Sequence, residues 1–144
     1  MTTLQTIKTW LKTCGFDCTA RIGDAWEYDL DEEIIYIPRK IETAPIDEYF
    51  VEYLRTLGYK GNYSVVTLSM LHELGHHMTI DEDLMDESEP LKAMLRMSDL
   101  DEKEHLFAYW NTPVEYEANM WLVSFVRDYK FLVEKFEKGL DKTA

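Results

Sequence analysis

Cations are scarce in this chain: 15 Lys and Arg stand against 28 Asp and Glu, a formal net charge of −13. A surface that neutralises phosphates needs the opposite balance, so no direct nucleic-acid binding is expected. Cysteine is scarcer still. Cys14 and Cys18 are the only two, too few for a disulfide scaffold and without companion ligands nearby for a zinc pair, so they read as reduced structural thiols. No uninterrupted apolar run approaches the roughly 20 residues of a membrane span. Residues 1–8 lack the apolar segment of a signal peptide, so a cytoplasmic setting is expected. Repeats, low-complexity tracts and linkers are missing as well. The 144 residues, 46% hydrophobic and 30% charged, read as one globular domain over 1–144.

Turn signals and periodicity divide the chain. Leu4, Ile7, Leu11 and Cys14 recur at helical spacing with Gly15 behind them, which predicts a helix over about 3–14. From Thr19 to Ile37 β-prone runs take over: Trp26, Tyr28 and Leu30 alternate with charges, Asp31-Glu32-Glu33 is turn-like, and Ile34-Ile35-Tyr36-Ile37 ends at Pro38. That predicts a hairpin or small meander. Ile46–Leu57 reads as a helix ending at Gly58, and Ser64 as the N-cap of the next one. Between Asp81 and Glu104 the chain is strongly acidic. A calcium loop starting at Asp81 fails, because Asp86 and Lys92 stand where Gly and Glu are needed. A solvated excursion with a short helix around 91–97 is expected instead. Thr112-Pro113 then opens one long helix whose apolar face runs from Glu115 through Phe136, with Gly139 as its stop. The fold class is α+β: a small N-terminal sheet packed on helices.

The stretch with chemistry in it is Leu71-His72-Glu73-Leu74-Gly75-His76-His77. Four residues turn a helix through about 400°, so His72 and His76 share one face, where two imidazoles can bind one Zn²⁺. Glu73 projects beside them as a candidate acid–base. The bland reading is an amphipathic helix with two partly exposed histidines.

A catalytic zinc site needs a third protein ligand. The residues where a metzincin would continue its motif are Thr79 and Glu82, which excludes that arrangement. His77 points about 100° away from His76, and His105 stands alone in a charged segment. Glu115 heads an apolar stripe, where a carboxylate is expensive unless a charge meets it. Glu117 falls about 200° round and should face water, whereas Asn119 lies about 40° from Glu115, one turn on, placed to orient a ligand. Glu115 could equally complete a capping box with Thr112; the motif upstream favours ligation.

Taken together, His72-Glu73-Leu74-Gly75-His76 and Glu115-Tyr116-Glu117-Ala118-Asn119 resemble the ImmA/IrrE-like metallopeptidases and, more distantly, thermolysin-type gluzincins. The resemblance implies a zinc fold in which Glu115 is third ligand and Asn119 supports the site. It departs after Asn119, where Met120-Trp121-Leu122-Val123 replaces the usual continuation, and in the long acidic segment before Glu115. Relatives are often linked to cleavage of DNA-binding repressors; no fused helix-turn-helix is visible here, so such a substrate would be a separate protein. The expectation is a zinc peptidase binding one Zn²⁺ through His72, His76 and Glu115, with Glu73 as general base and then acid. A sheet edge beside the cleft could pair with the substrate. Tyr109, Tyr116, His105 and Tyr63 are candidates for stabilising the oxyanion. The alternatives are a non-catalytic zinc-stabilised binding module and a metal-free helical interaction protein.

Overall fold

A computed structural model describes residues 1–42 and 44–142. Among them are seven helices and one three-stranded mixed sheet, an α+β fold. Helix α1 spans Thr3–Cys14, closed in front by a reciprocal Thr2–Gln5 capping box and behind by Gly15 at φ 84°.

Strands β1 (Thr19–Gly23), β2 (Glu27–Asp29) and β3 (Ile34–Pro38) follow. β2 and β3 form the expected antiparallel hairpin, its turn held by Glu32 N–H donating to Asp29 Oδ1 at 3.0 Å. A meander is not formed. β1 pairs in parallel with β3, giving the order β1-β3-β2. The reason is burial. Ile34, Ile35 and Ile37 are all sequestered, a run apolar on both faces that belongs in the middle, whereas the more polar β1 and β2 tolerate edges.

After α2 (Pro45–Thr56) comes α3 (Val65–Thr79), started by Ser64, whose hydroxyl accepts the Thr67 N–H. α3 is the central helix. Leu68, Met70, Leu71 and Leu74 are fully enclosed, as expected of a helix that is apolar nearly all round. It packs most closely against α6 (Pro113–Asp128). At the crossing a Cβ on Gly75 would come within 2.5 Å of the Ala118 carbonyl oxygen, so only glycine permits this approach.

Two expectations are corrected. The acidic segment is not an excursion with a short helix: α4 runs over Glu82–Arg96 and α5 over Glu102–Trp110, begun by Asp81 and Asp101 side chains that cap Leu84 and Glu104 N–H. α4 even contains Pro90, whose missing donor costs about 3 kcal/mol, so packing against α5 and α6 must hold it. The final helix is not continuous either. Tyr129 leaves helical geometry (φ −124°, ψ 39°), and α7 (Lys130–Leu140) begins as a separate helix. α7 is drawn onto α1, where the Trp10 indole donates to the Leu132 carbonyl at 3.0 Å and its ring packs against Phe136, tilted by 60° with centroids 5.3 Å apart. Gly139 lies inside α7 against Thr6 and does not end it. No helix among the described residues is long and apolar enough to cross a membrane.

Candidate metal centre

His72 and His76 lie one turn apart on α3, both buried, with ring centroids 4.7 Å apart. The Gly75–Ala118 contact brings the first turn of α6 over them. One oxygen of Glu115, Oε1, lies 3.0 Å from His72 Nε2 and 3.1 Å from His76 Nε2. A tetrahedral zinc with bonds of about 2.0–2.1 Å separates its ligand atoms by about 3.3 Å. The two edges that meet at Glu115 Oε1 are therefore near the length such an ion needs, and on that test the donor set is compatible with zinc.

Asn119 follows one turn along α6. Its Oδ1 accepts from His72 Nδ1 at 2.7 Å while its amide donates to the Trp110 carbonyl at 3.4 Å. This fixes the His72 ring with Nε2 towards Glu115. Burial works against a charged His72, but the hydrogen bond to Glu115 and the charges of Glu73 and Glu115 outweigh it, pushing its pKa up to about 9. Burial likewise opposes a charged Glu115, and is overcome by hydrogen bonds from His72 and His76 that hold its carboxyl far below the usual range. In the metal-free protein a proton on His72 thus occupies the bond that a cation would take. His76 is less well supported: its Nδ1 is buried with no hydrogen-bond partner among the described residues.

Glu73 is 7% exposed, and one ligand atom from each of His72, Glu73 and His76 lie within 4.8 Å of one another. Burial pushes its pKa up against the opposing pull of His72 and His76, the direction a general base working near neutrality requires. These groups open onto a cleft of about 530 Å³, walled by Trp26 of the β1–β2 connection, Glu27 and Tyr28 of β2, Phe50 of α2 and Lys92 of α4.

Lys92 is the residue that sequence reasoning missed. Its Nζ donates to Glu115 Oε2 at 3.0 Å and sits 4.9 Å from the Tyr109 ring centroid. Glu115 is therefore fully engaged, one oxygen facing the imidazoles and the other the ammonium. A signal existed: Ser88 and Lys92 stand one turn apart on the same face of α4. Ser88 is 1% exposed and accepts the Val114 N–H at 2.8 Å, capping α6 from outside. Thr112 makes no side-chain cap, its hydroxyl donating to the Tyr109 carbonyl, so no capping box claims Glu115.

Among the other candidates, Tyr109 lines the cleft. Tyr116 is 37% exposed and, with His105 and Tyr63, stands outside its wall. Glu117 faces solvent. His77 turns away to bond the Tyr28 hydroxyl at 2.7 Å and Asp17 Oδ1 at 2.6 Å, tying α3 to the sheet. Cys14 and Cys18 are unpaired thiols, and burial raises both pKa values, Cys18 to about 11. Such thiols are unreactive at neutral pH. Comparison with protein-family models, curated proteins and solved structures yields no match.

Proposed function

We propose that this chain is a zinc-dependent metallopeptidase acting on a protein or peptide. The observation that carries the reading is the meeting of two imidazole nitrogens and one Glu115 oxygen beside a buried, unligated Glu73, on the wall of an open cleft. His72, His76 and Glu115 would hold the ion, which supplies Lewis acidity and eases the ionisation of water. Asn119 orients His72, and Lys92 holds the second oxygen of Glu115 so that only one is offered to the site. Glu73 accepts the proton of the attacking water and returns it to the leaving amine. β2 is an edge strand whose Glu27 and Tyr28 line the cleft, so an extended substrate segment can pair with it. Of the candidate oxyanion donors Tyr109, Tyr116, His105 and Tyr63, only Tyr109 lines the cleft, and it would polarise a substrate carbonyl from the α5 wall. A regulatory protein such as a repressor fits as substrate, with the resemblance as its only support.

The reading is tested by metal analysis of the purified protein, then by incubation with candidate proteins and mass spectrometry for new termini. One zinc per chain and zinc-dependent cleavage would support it. Zinc without cleavage of any bound partner would favour the second reading, a zinc-stabilised binding module, which uses the same three ligands.

A further inference from the structure

We propose that the groove between α4 and α5 docks a cationic amphipathic helix of a partner protein. The proposal does not rest on the metal centre. While Ser88 and Lys92 face the cleft, Leu91, Met94 and Leu95 follow one another at helical spacing along a neighbouring face of α4, and Ser98 continues the line just past its end. With Ala108 and Asn111 they line a groove of about 310 Å³. Its apolar side chains are left open to water: Leu91 is 43% exposed, Met94 69%, and Met97, just beyond, 87%. Methionine is unbranched and adaptable, suited to moulding around another protein's side chains.

The rim specifies the partner's charge. Glu87 lies one turn before Leu91 on α4, and Glu104 one turn before Ala108 on α5; Asp99 and Asp101 occupy the connection, all four exposed. Residues 81–104 contain only three cations, Lys92, Arg96 and Lys103. Two are engaged elsewhere, Lys92 with Glu115 and Lys103 with Glu52 at 2.7 Å. An apolar floor with a rim that stays net acidic even with Arg96 counted suits an apolar stripe flanked by Lys and Arg, and a trough between two helices suits a third helix. A second copy of this chain is a poor occupant, since two chains of net charge −13 repel.

The probe is a fluorescein-labelled amphipathic Leu/Lys helix, titrated with the full chain by fluorescence anisotropy, with a Leu/Glu helix of the same pattern alongside. Met94→Lys and Phe131→Lys each add one positive charge at a well-exposed position, 69% and 75% respectively, but only the first lies in the groove. Saturable binding of the Leu/Lys helix alone is expected, with Kd raised at least about tenfold by Met94→Lys and left within about twofold by Phe131→Lys. Circular dichroism confirms that both variants fold. Equal weakening by both variants would reduce the effect to diffuse charge and overturn the proposal. So would binding of the Leu/Glu helix, absence of saturable binding, or a self-association that Met94→Lys abolishes.

Discussion

Replacing Lys92 by Met keeps most of the buried stem and removes only the ammonium that lies 3.0 Å from Glu115 Oε2. In the metal-free protein this leaves one oxygen of a carboxylate that is 5% exposed without a partner, while the imidazoles still hold the other. Removing one partner of a buried charged hydrogen bond costs about 1–3 kcal/mol. The Lys92 side chain is 16% exposed, and water reaching it places the expected loss nearer about 1–2 kcal/mol. For a chain of this length that lowers the melting temperature by roughly 2–8 °C. With zinc bound, the ion neutralises Glu115 directly, so the same substitution should cost less. Chelator should therefore lower the melting temperature of Lys92→Met by more than it lowers that of wild type.

The assay is thermal unfolding of both proteins with zinc and with chelator, metal content being checked in each. Equal melting of the two metal-free proteins would refute the idea that Lys92 compensates Glu115. An equal loss with and without zinc would mean that Lys92 contributes packing alone.

Three further outcomes are expected. Glu115→Gln should lose zinc while Glu117→Gln retains it; equal zinc in Glu115→Gln and wild type would sink the ligand assignment. The metal-free protein should lose stability as pH rises from about 6.5 through about 9. The folded pKa of His72 is raised to about 9, so its contribution is complete below the unfolded value of about 6.5 and vanishes above the folded one. Glu115, shifted downward, contributes above about 4.3 and less at lower pH, so melts in chelator across pH should be highest near pH 5–6. Gly75→Ala should displace α6 from α3, because its Cβ would meet Ala118 backbone at 2.5 Å; a fall in zinc content alongside a lowered melting temperature would register the shift.

Much of the scaffold was legible because its signals are local. α1 begins and ends at Thr3 and Cys14 where periodicity and Gly15 put them, and Ser64 caps α3. The His72–His76 pair and the inward phase of Glu115 and Asn119 follow from helical rotation alone. What escaped depends on distant partners. β3 takes the sheet centre by outcompeting β1 and β2 for burial, a comparison no single strand reveals. The break at Tyr129 answers to α1, more than 100 residues away, and its apolar periodicity runs on unbroken through both helices. The acidic segment misled because a charge run usually means solvent, whereas here one face in several carries Ser88 and Lys92 inward. Net charge averages over faces and so hides a single partly buried cation.

The enzyme and the binding module differ most sharply at Glu73, through stability as much as rate. Folding buries this carboxyl to 7% exposure and raises its pKa, through desolvation first and through Glu115 and Glu27 besides. An acid whose pKa is higher in the folded state destabilises the protein once pH exceeds the unfolded value of about 4.3. A module that only binds gains nothing from that burden, whereas a hydrolase needs a carboxylate there. Glu73→Gln, nearly isosteric and uncharged, should therefore raise the melting temperature of the metal-free protein at pH 7. The gain should shrink with zinc present, since the ion favours the charged carboxylate. The same substitution should keep zinc and lower the cleavage rate by about 10²–10⁴-fold. Stability rising while cleavage falls is the signature of a group retained for chemistry. If Glu73→Gln cleaves as fast as wild type, Glu73 is not the general base. If it melts lower than wild type without metal, the carboxylate is holding the site together and its burial is structural.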